Sequence, residues 1–213
     1  MRYYIADCHF FHEALNREMD HRGFASVEEM NEYMIKRWNE KVRNRDEVVI
    51  LGDLSMGNAE QTNALLDRLQ GKLFLIVGNH DNRYLRSKTF HKERFGWIYP
   101  YAELHDDGRK VVLSHYPIAC YNGQYLKNKK GEPRTYMLYG HVHDSHDERL
   151  IEQYQQMVEK TRIPDRDGGT QSLSSHMINC FCMYSDYQPL SLDEWIALTK
   201  QRLIRCQNME DSL

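Results

Sequence analysis

A chain of 213 residues, 41% of them hydrophobic, favours one domain with a full packed core. The formal net charge is −3 and the basic runs are short, Lys127-Asn128-Lys129-Lys130 being the densest, which argues against stable nucleic-acid binding. No stretch approaches the ~20 apolar residues of a membrane helix, and the polar start Met1–Asp7 does not resemble a secretory signal, so a cytoplasmic location is the default expectation. The five cysteines, Cys8, Cys120, Cys180, Cys182 and Cys206, are odd in number and form no C-x-x-C, so neither a disulfide framework nor a thiolate zinc site is expected.

The first half alternates short apolar runs with helical patterns. Residues 2–6, 47–51 and 72–77 read as buried strands, rich in β-branched and aromatic side chains. Between the first two, Ser26-Val27-Glu28-Glu29 has the form of a capping box and opens a helix whose apolar face carries Met30, Met34 and Trp38. A second helix is expected over 58–70, with Leu65, Leu66 and Leu69 inward and Gly71 closing it. Strand–helix–strand repetition implies parallel pairing. Further on, 97–105 and 110–114 read as extended runs joined by Asp106-Asp107-Gly108-Arg109, a hairpin signal. Residues 135–140 and 177–183 are further strands, and a last helix starts at a second capping box, Ser191 with Glu194, and carries Trp195, Leu198 and Leu203. Residues 120–133 read as a loop. Residues 144–175 hold one helical stretch, about 148–162, within a long insertion that is either a lid or a passive surface element.

Five short segments carry metal-competent residues, each directly after an expected strand: Asp7-Cys8-His9, Gly52-Asp53, Gly78-Asn79-His80-Asp81, Ser114-His115 and Gly140-His141-Val142-His143. Ligand sites of α/β sheets lie beyond the carboxyl ends of the strands, so five strand ends can converge. Imidazole with carboxylate suits Mn, Fe, Zn, Ni or Co rather than Ca. In an extended chain residues i and i+2 point the same way, which pairs Asp7 with His9 and His141 with His143 and turns Cys8 and Val142 elsewhere.

These five blocks, in this order, resemble the D-x-H, G-D, G-N-H-D/E, H and G-H-x-H pattern of the calcineurin-like metallophosphoesterase superfamily, most nearly its small bacterial and phage phosphoesterases. The resemblance spans most of the chain except the 144–175 insertion, with Ile178-Asn179 and Tyr187-Gln188-Pro189-Leu190 matching the C-terminal part. It implies an α/β (α+β) fold, a four-layer α/β/β/α sandwich of two packed mixed sheets. It implies two divalent metal ions, manganese first among the candidates: Asp7, His9 and His143 on one, Asn79, His115 and His141 on the other, and Asp53 bridging both. His80 is implied as the catalytic histidine, able to protonate a leaving alkoxide. In related phosphatases a second Asp, three residues beyond the Gly-Asp block, orients that histidine. Here the position is Met56, so either another group, such as Asp81 or a backbone carbonyl, orients His80, or proton transfer is less efficient.

Arg83 either reaches a substrate phosphate or forms a surface ion pair. Of the histidines outside the motifs, His146 and His176 flank the insertion and are the best placed to see substrate, whereas His12, His21, His91 and His105 are expected to be ordinary surface or core residues. The expected function is hydrolysis of a small phosphate ester, a phosphodiester by preference, with nucleotides among the candidate substrates. The alternatives are a nuclease of the same superfamily and a non-enzymatic, metal-stabilised binding module.

Overall fold

The computed structural model describes residues 1–164 and 167–210, the last six of these in backbone only. Ten strands occur among them: β1 (Arg2–Ile5), β2 (Glu47–Ile50), β3 (Lys72–Ile76), β4 (Phe95–Tyr99), β5 (Tyr101–Asp106), β6 (Arg109–Ser114), β7 (Thr135–Tyr139), β8 (Arg162–Pro164), β9 (Thr170–Ser172) and β10 (Met177–Asn179). The first sheet has the order β1-β2-β3-β4 and is parallel throughout. The second has the order β10-β7-β6-β5, with β5 alone antiparallel. A small β8–β9 hairpin stands apart.

Strand alternation sorts the core into three layers. Tyr3, Ile5, Val48, Ile50, Leu73 and Leu75 face outward from the first sheet. They pack on Met30, Met34 and Trp38 of helix α1 (Val27–Lys41) and on Leu65 and Leu66 of helix α2 (Ala59–Arg68). From the opposite face, Tyr4, Val49, Leu51 and Ile76 meet Val111, Leu113, Leu138 and Ile178 of the second sheet. The outer face of that sheet, Val112, Met137, Tyr139 and Met177, is covered by Tyr121 and by Ile151 and Tyr154. Each such side chain contributes about 1.5–3 kcal/mol on burial, so the sandwich holds its strand ends on a stiff frame.

The expected elements are present with shifts that have local causes. Ser26 caps α1 by accepting from the Glu29 N–H, but the Glu29 carboxylate reaches back to the Ala25 N–H rather than to Ser26. Asn58 and Gln61 complete a reciprocal capping box on α2. The run 97–105 is not one strand. It breaks at Pro100, which has no N–H to give a ladder, so β4 belongs to the first sheet and β5 to the second. The run 177–183 stops at Asn179, whose side chain accepts from the Phe181 N–H and donates to the His143 carbonyl, and residues 182–185 turn into a 3-10 helix. Helix α3 (Asn82–Leu85) is a single turn. The 144–175 stretch supplies α4 (His146–Lys160) and the β8–β9 hairpin. Helix α5 (Leu192–Glu210) anchors Trp195 between the sheets, its indole donating to the Tyr4 carbonyl. Among the described residues no helix is long and apolar enough to cross a membrane.

Candidate metal centre

All seven expected donors lie at the carboxyl ends of β1, β2, β3, β6 and β7, and the fold brings them together. Six of them form two trios. In each of these, Asp7–His9–His143 and Asp53–His115–His141, one ligand atom per residue lies within 4.8 Å of the other two. Asp53 stands between the trios, its Oδ2 3.6 Å from His9 Nε2 and 3.5 Å from His115 Nε2. Asn79 Oδ1 is 2.9 Å from both His115 Nε2 and His141 Nδ1. His9 Nε2 and His143 Nε2 face each other at 3.2 Å.

The local backbone that achieves this is not extended. Asp7, His9, Asp53, His141 and His143 all have positive φ, between +48° and +72°. The pairing of Asp7 with His9 therefore arises from two left-handed residues flanking Cys8, not from strand alternation. His141 and His143 likewise separate into different trios. A left-handed residue other than Gly costs about 1–2 kcal/mol, so five of them in one site mark strain that the surrounding frame must carry. Three glycines make room, Gly78 among them, where a Cβ would lie 2.2 Å from Asp53 Oδ1. A Cβ on Gly52, itself at φ +91°, would lie 2.3 Å from His115 Nδ1, and one on Gly140 would lie 2.6 Å from Asp7 Oδ2.

Outer hydrogen bonds decide which ring nitrogens point inward. His115 Nδ1 donates to the Leu51 carbonyl and His143 Nδ1 to Asp20 Oδ1, at 2.8 and 2.7 Å. In each neutral ring this leaves a lone pair on Nε2, aimed at the Asn79 and Asp53 oxygens in one case and at His9 in the other. At His115 an acceptor thus faces acceptors, an arrangement that positive charge relieves, whereas His9, whose Nδ1 has no partner, can hold its proton on Nε2 and donate to His143. The ionisation of the groups follows burial and their neighbours. Burial opposes charge on His115, but Asp53 and Asp7 raise its pKa to about 9. Burial likewise disfavours ionised Asp53, yet His115 and His9 hold it down at about 2. Burial drives Asp7 up to about 6 against the pull of His143 and His115. Burial also keeps the His9 pKa well below the ordinary value. The donor set and its electron-rich interior fit divalent cations.

His80 borders this cluster. Its ring is 42% exposed, with Nε2 4.0 Å from Asp53 Oδ2, and it meets the His9 ring edge-on at 5.4 Å. Its backbone N–H donates to Asp53 Oδ1. Asp81 does not orient it. That carboxylate is fully buried and accepts from the N–H groups of Gly78, Asp53 and Leu54 and from the Tyr84 hydroxyl, so it pins the Gly52-Asp53 turn instead. Arg83 is exposed on α3 and is not among the residues that line the cavity. His146 opens α4, and His176 lies beside Tyr136 at the opposite end of β10.

The cavity over the cluster measures about 410 Å³. Its walls add Leu15, Met19 and Val142 on an apolar side and Asp144, Ser145 and Asp147 on a polar one, at the start of α4. Three contributors went unread in the sequence. His12 lines the cavity, its ring 5.6 Å from that of His9. Asp20 holds His143, and the buried Arg22 holds Asp20. All three lie in residues 12–22, where only a π-helical turn (Leu15–Met19) forms. The sole available signal was the density of charge and imidazole in His12 and Asp20-His21-Arg22 just after the D-x-H block.

A two-sheet α/β sandwich whose strand ends gather paired carboxylate–imidazole trios defines a protein built to hold divalent metal ions. The chain belongs to the calcineurin-like phosphoesterase family, which it matches over residues 3–195. An uncharacterized protein of Methanocaldococcus jannaschii is 31% identical over 209 residues, covering 97% of this chain and 96% of its own length. The gene 66 protein of Mycobacterium phage L5 is 28% identical over 167 residues, 66% of this chain and 76% of that protein. A crystal structure of an Aquifex aeolicus protein of unknown function shares the fold, with a TM-score of 0.63 at 23% identity, over 93% of this chain and 98% of the other.

Proposed function

We propose that the protein hydrolyses small phosphodiesters with the aid of two divalent ions. Asp7, His9 and His143 hold one ion, Asn79, His115 and His141 the other, and Asp53 serves both. Manganese suits the mixed nitrogen–oxygen set, and iron, zinc, nickel or cobalt also fit it. When bound, such a pair supplies charge for the phosphoryl oxygens and lowers the pKa of an attacking water. Asn79 is a neutral donor and so leaves more of that positive charge for the phosphate. His80, exposed at the cavity edge beside Asp53, gives a proton to the leaving alkoxide. The observation that carries this reading is the position of Asp53, within 3.6 Å of imidazole nitrogens on both sides and next to His80.

The choice of substrate rests on the cavity walls. Among the described residues that line it there is no Lys or Arg, while Asp144 and Asp147 stand at its rim. A phosphodiester carrying one negative charge suits such walls better than a polyphosphate or a nucleic-acid strand, which also disfavours the nuclease alternative. Leu15, Met19 and Val142 offer an apolar surface to an organic leaving group. Hydrolysis of bis(p-nitrophenyl) phosphate should require added manganese and cease with chelator. A purified, manganese-loaded protein inert towards a broad panel of phosphate esters would refute the assignment.

A further inference from the structure

We propose that Asp20, clamped by Arg22, is a positioning residue for the first trio, so that one of the two ions depends on it and the other does not. That dependence presupposes the two-ion site proposed above. Asp20 follows the π-helical turn, and its two carboxylate oxygens divide their work. Oδ1 accepts from His143 Nδ1 at 2.7 Å, and Oδ2 accepts from Arg22 Nε and Nη2 at 3.1 and 2.9 Å. The Arg22 side chain is 0% exposed. Its remaining donors reach the backbone of the D-x-H block, Nη1 to the Cys8 carbonyl at 2.7 Å and Nη2 to the Asp7 carbonyl at 3.1 Å. One guanidinium therefore ties the partner of His143 to the left-handed turn that presents Asp7 and His9.

A buried arginine is tolerated only where its charge is paired and its donors are satisfied, and its planar fork fixes direction as well as distance. A carboxylate on the outer nitrogen of a ligating imidazole fixes the tautomer and makes the inner nitrogen more basic. The second trio has no such support. The outer nitrogen of His115 meets a backbone carbonyl, and the inward Nδ1 of His141 faces the Asn79 amide oxygen, itself a donor of that trio's ion. Both partners are neutral. Removal of Asp20 should therefore weaken one ion selectively, whereas a purely structural salt bridge would loosen the whole rim or neither ion.

Manganese titration by calorimetry, with electron paramagnetic resonance of the loaded samples, tests this on the full chain and on Asp20→Ala and Asp20→Asn. Thermal melting of the metal-free proteins controls for folding. The native protein should bind two ions with a spin-coupled signal. Asp20→Ala should bind one ion as the native does and the other about 10–100-fold more weakly. Its spectrum should turn to that of isolated manganese at sub-saturating metal. Asp20→Asn, whose amide oxygen can still accept from His143, should recover part of the affinity, and it decides the matter alone if the alanine variant fails to fold. Two ions bound as tightly as in the native protein, or equal weakening of both, would overturn the role of Asp20. A native protein that never binds two ions would overturn the two-ion reading itself.

Discussion

The two trios use the same residue types but are held in different ways. Asp7, His9 and His143 depend on groups outside the five motifs, through Asp20 and the buried Arg22. Asp53, His115 and His141 close on themselves, with Asn79 joining the two imidazoles and Leu51, at the end of β2, orienting His115 across from the other sheet. Exposure differs as well, since His9 is buried on the first side while His141 is exposed on the second. One half of the site is thus fixed by a charged clamp and the other by the strand frame. Their common element is Asp53, so the sharpest perturbation is the one both halves share.

Asp53→Ala should accordingly have the largest effect, a fall in turnover on the order of 10³-fold or more, with both ions weakened together in metal analysis. A variant that lost only one ion would show that the trios are independent. His80→Ala should lower kcat by about 10²–10⁴-fold while the native metal content is retained. That loss should shrink for nitrophenyl esters, whose leaving group needs no proton, and stay full for alkyl esters. An equal loss on both would remove the proton-donor role.

The pH dependence reports the imidazole–carboxylate pairs of the metal-free protein. The His115 pKa is raised to about 9 by its carboxylate neighbours, so its contribution to stability is complete below about 6.5 and disappears as pH rises through 9. At about 1.4 kcal/mol for each pH unit between those two values, the decline amounts to about 3 kcal/mol, several degrees in the melting temperature of a chain this size. Asp7 acts at lower pH. With its pKa raised to about 6, burial of its ionised form begins to cost stability from about pH 4, and the full cost is reached above 6. The fall above pH 6.5 therefore has two sources, His115 in the second trio and His143 in the first, where burial opposes the charge but the Asp20 carboxylate and Asp7 raise the pKa, so His115→Asn should shrink the fall and leave a remainder. A flat melting profile across that range would contradict the acceptor-against-acceptor geometry.

Smallest is the effect expected at the rim. Asp147→Lys should raise kcat/KM for substrates with additional phosphate charge by about 3–10-fold at low salt, and by less at high salt. No change in that ratio would mean that the rim does not select by charge.

Much of this site could be read in the chain because its donors occur in short blocks at the ends of strongly patterned strands. Alternation and length located β1, β2, β3, β6 and β7 to within a residue or two. What placed Asp7 and His9 side by side could not be read so easily. Left-handed φ at Asp, His and Asp again is a property of the folded turn, paid for by the packing beneath it and invisible to periodicity. The strand break at Pro100 was signalled by that residue, whereas the crossing between sheets there depended on tertiary pairing. Asp20 and Arg22 lay hidden in an irregular stretch where no period operates, and their partners lie up to 123 positions away. Asp81 had the right charge to orient His80 but the wrong direction, because burial committed its oxygens to three backbone N–H groups and Tyr84.

The central claim, two divalent ions shared across Asp53, is tested most directly by anomalous diffraction at the manganese edge from crystals grown with manganese. Two peaks per chain are expected about 3.5–4 Å apart, one on each trio, with the Asp53 carboxylate between them. A single peak, or peaks lying away from Asp53, would contradict it.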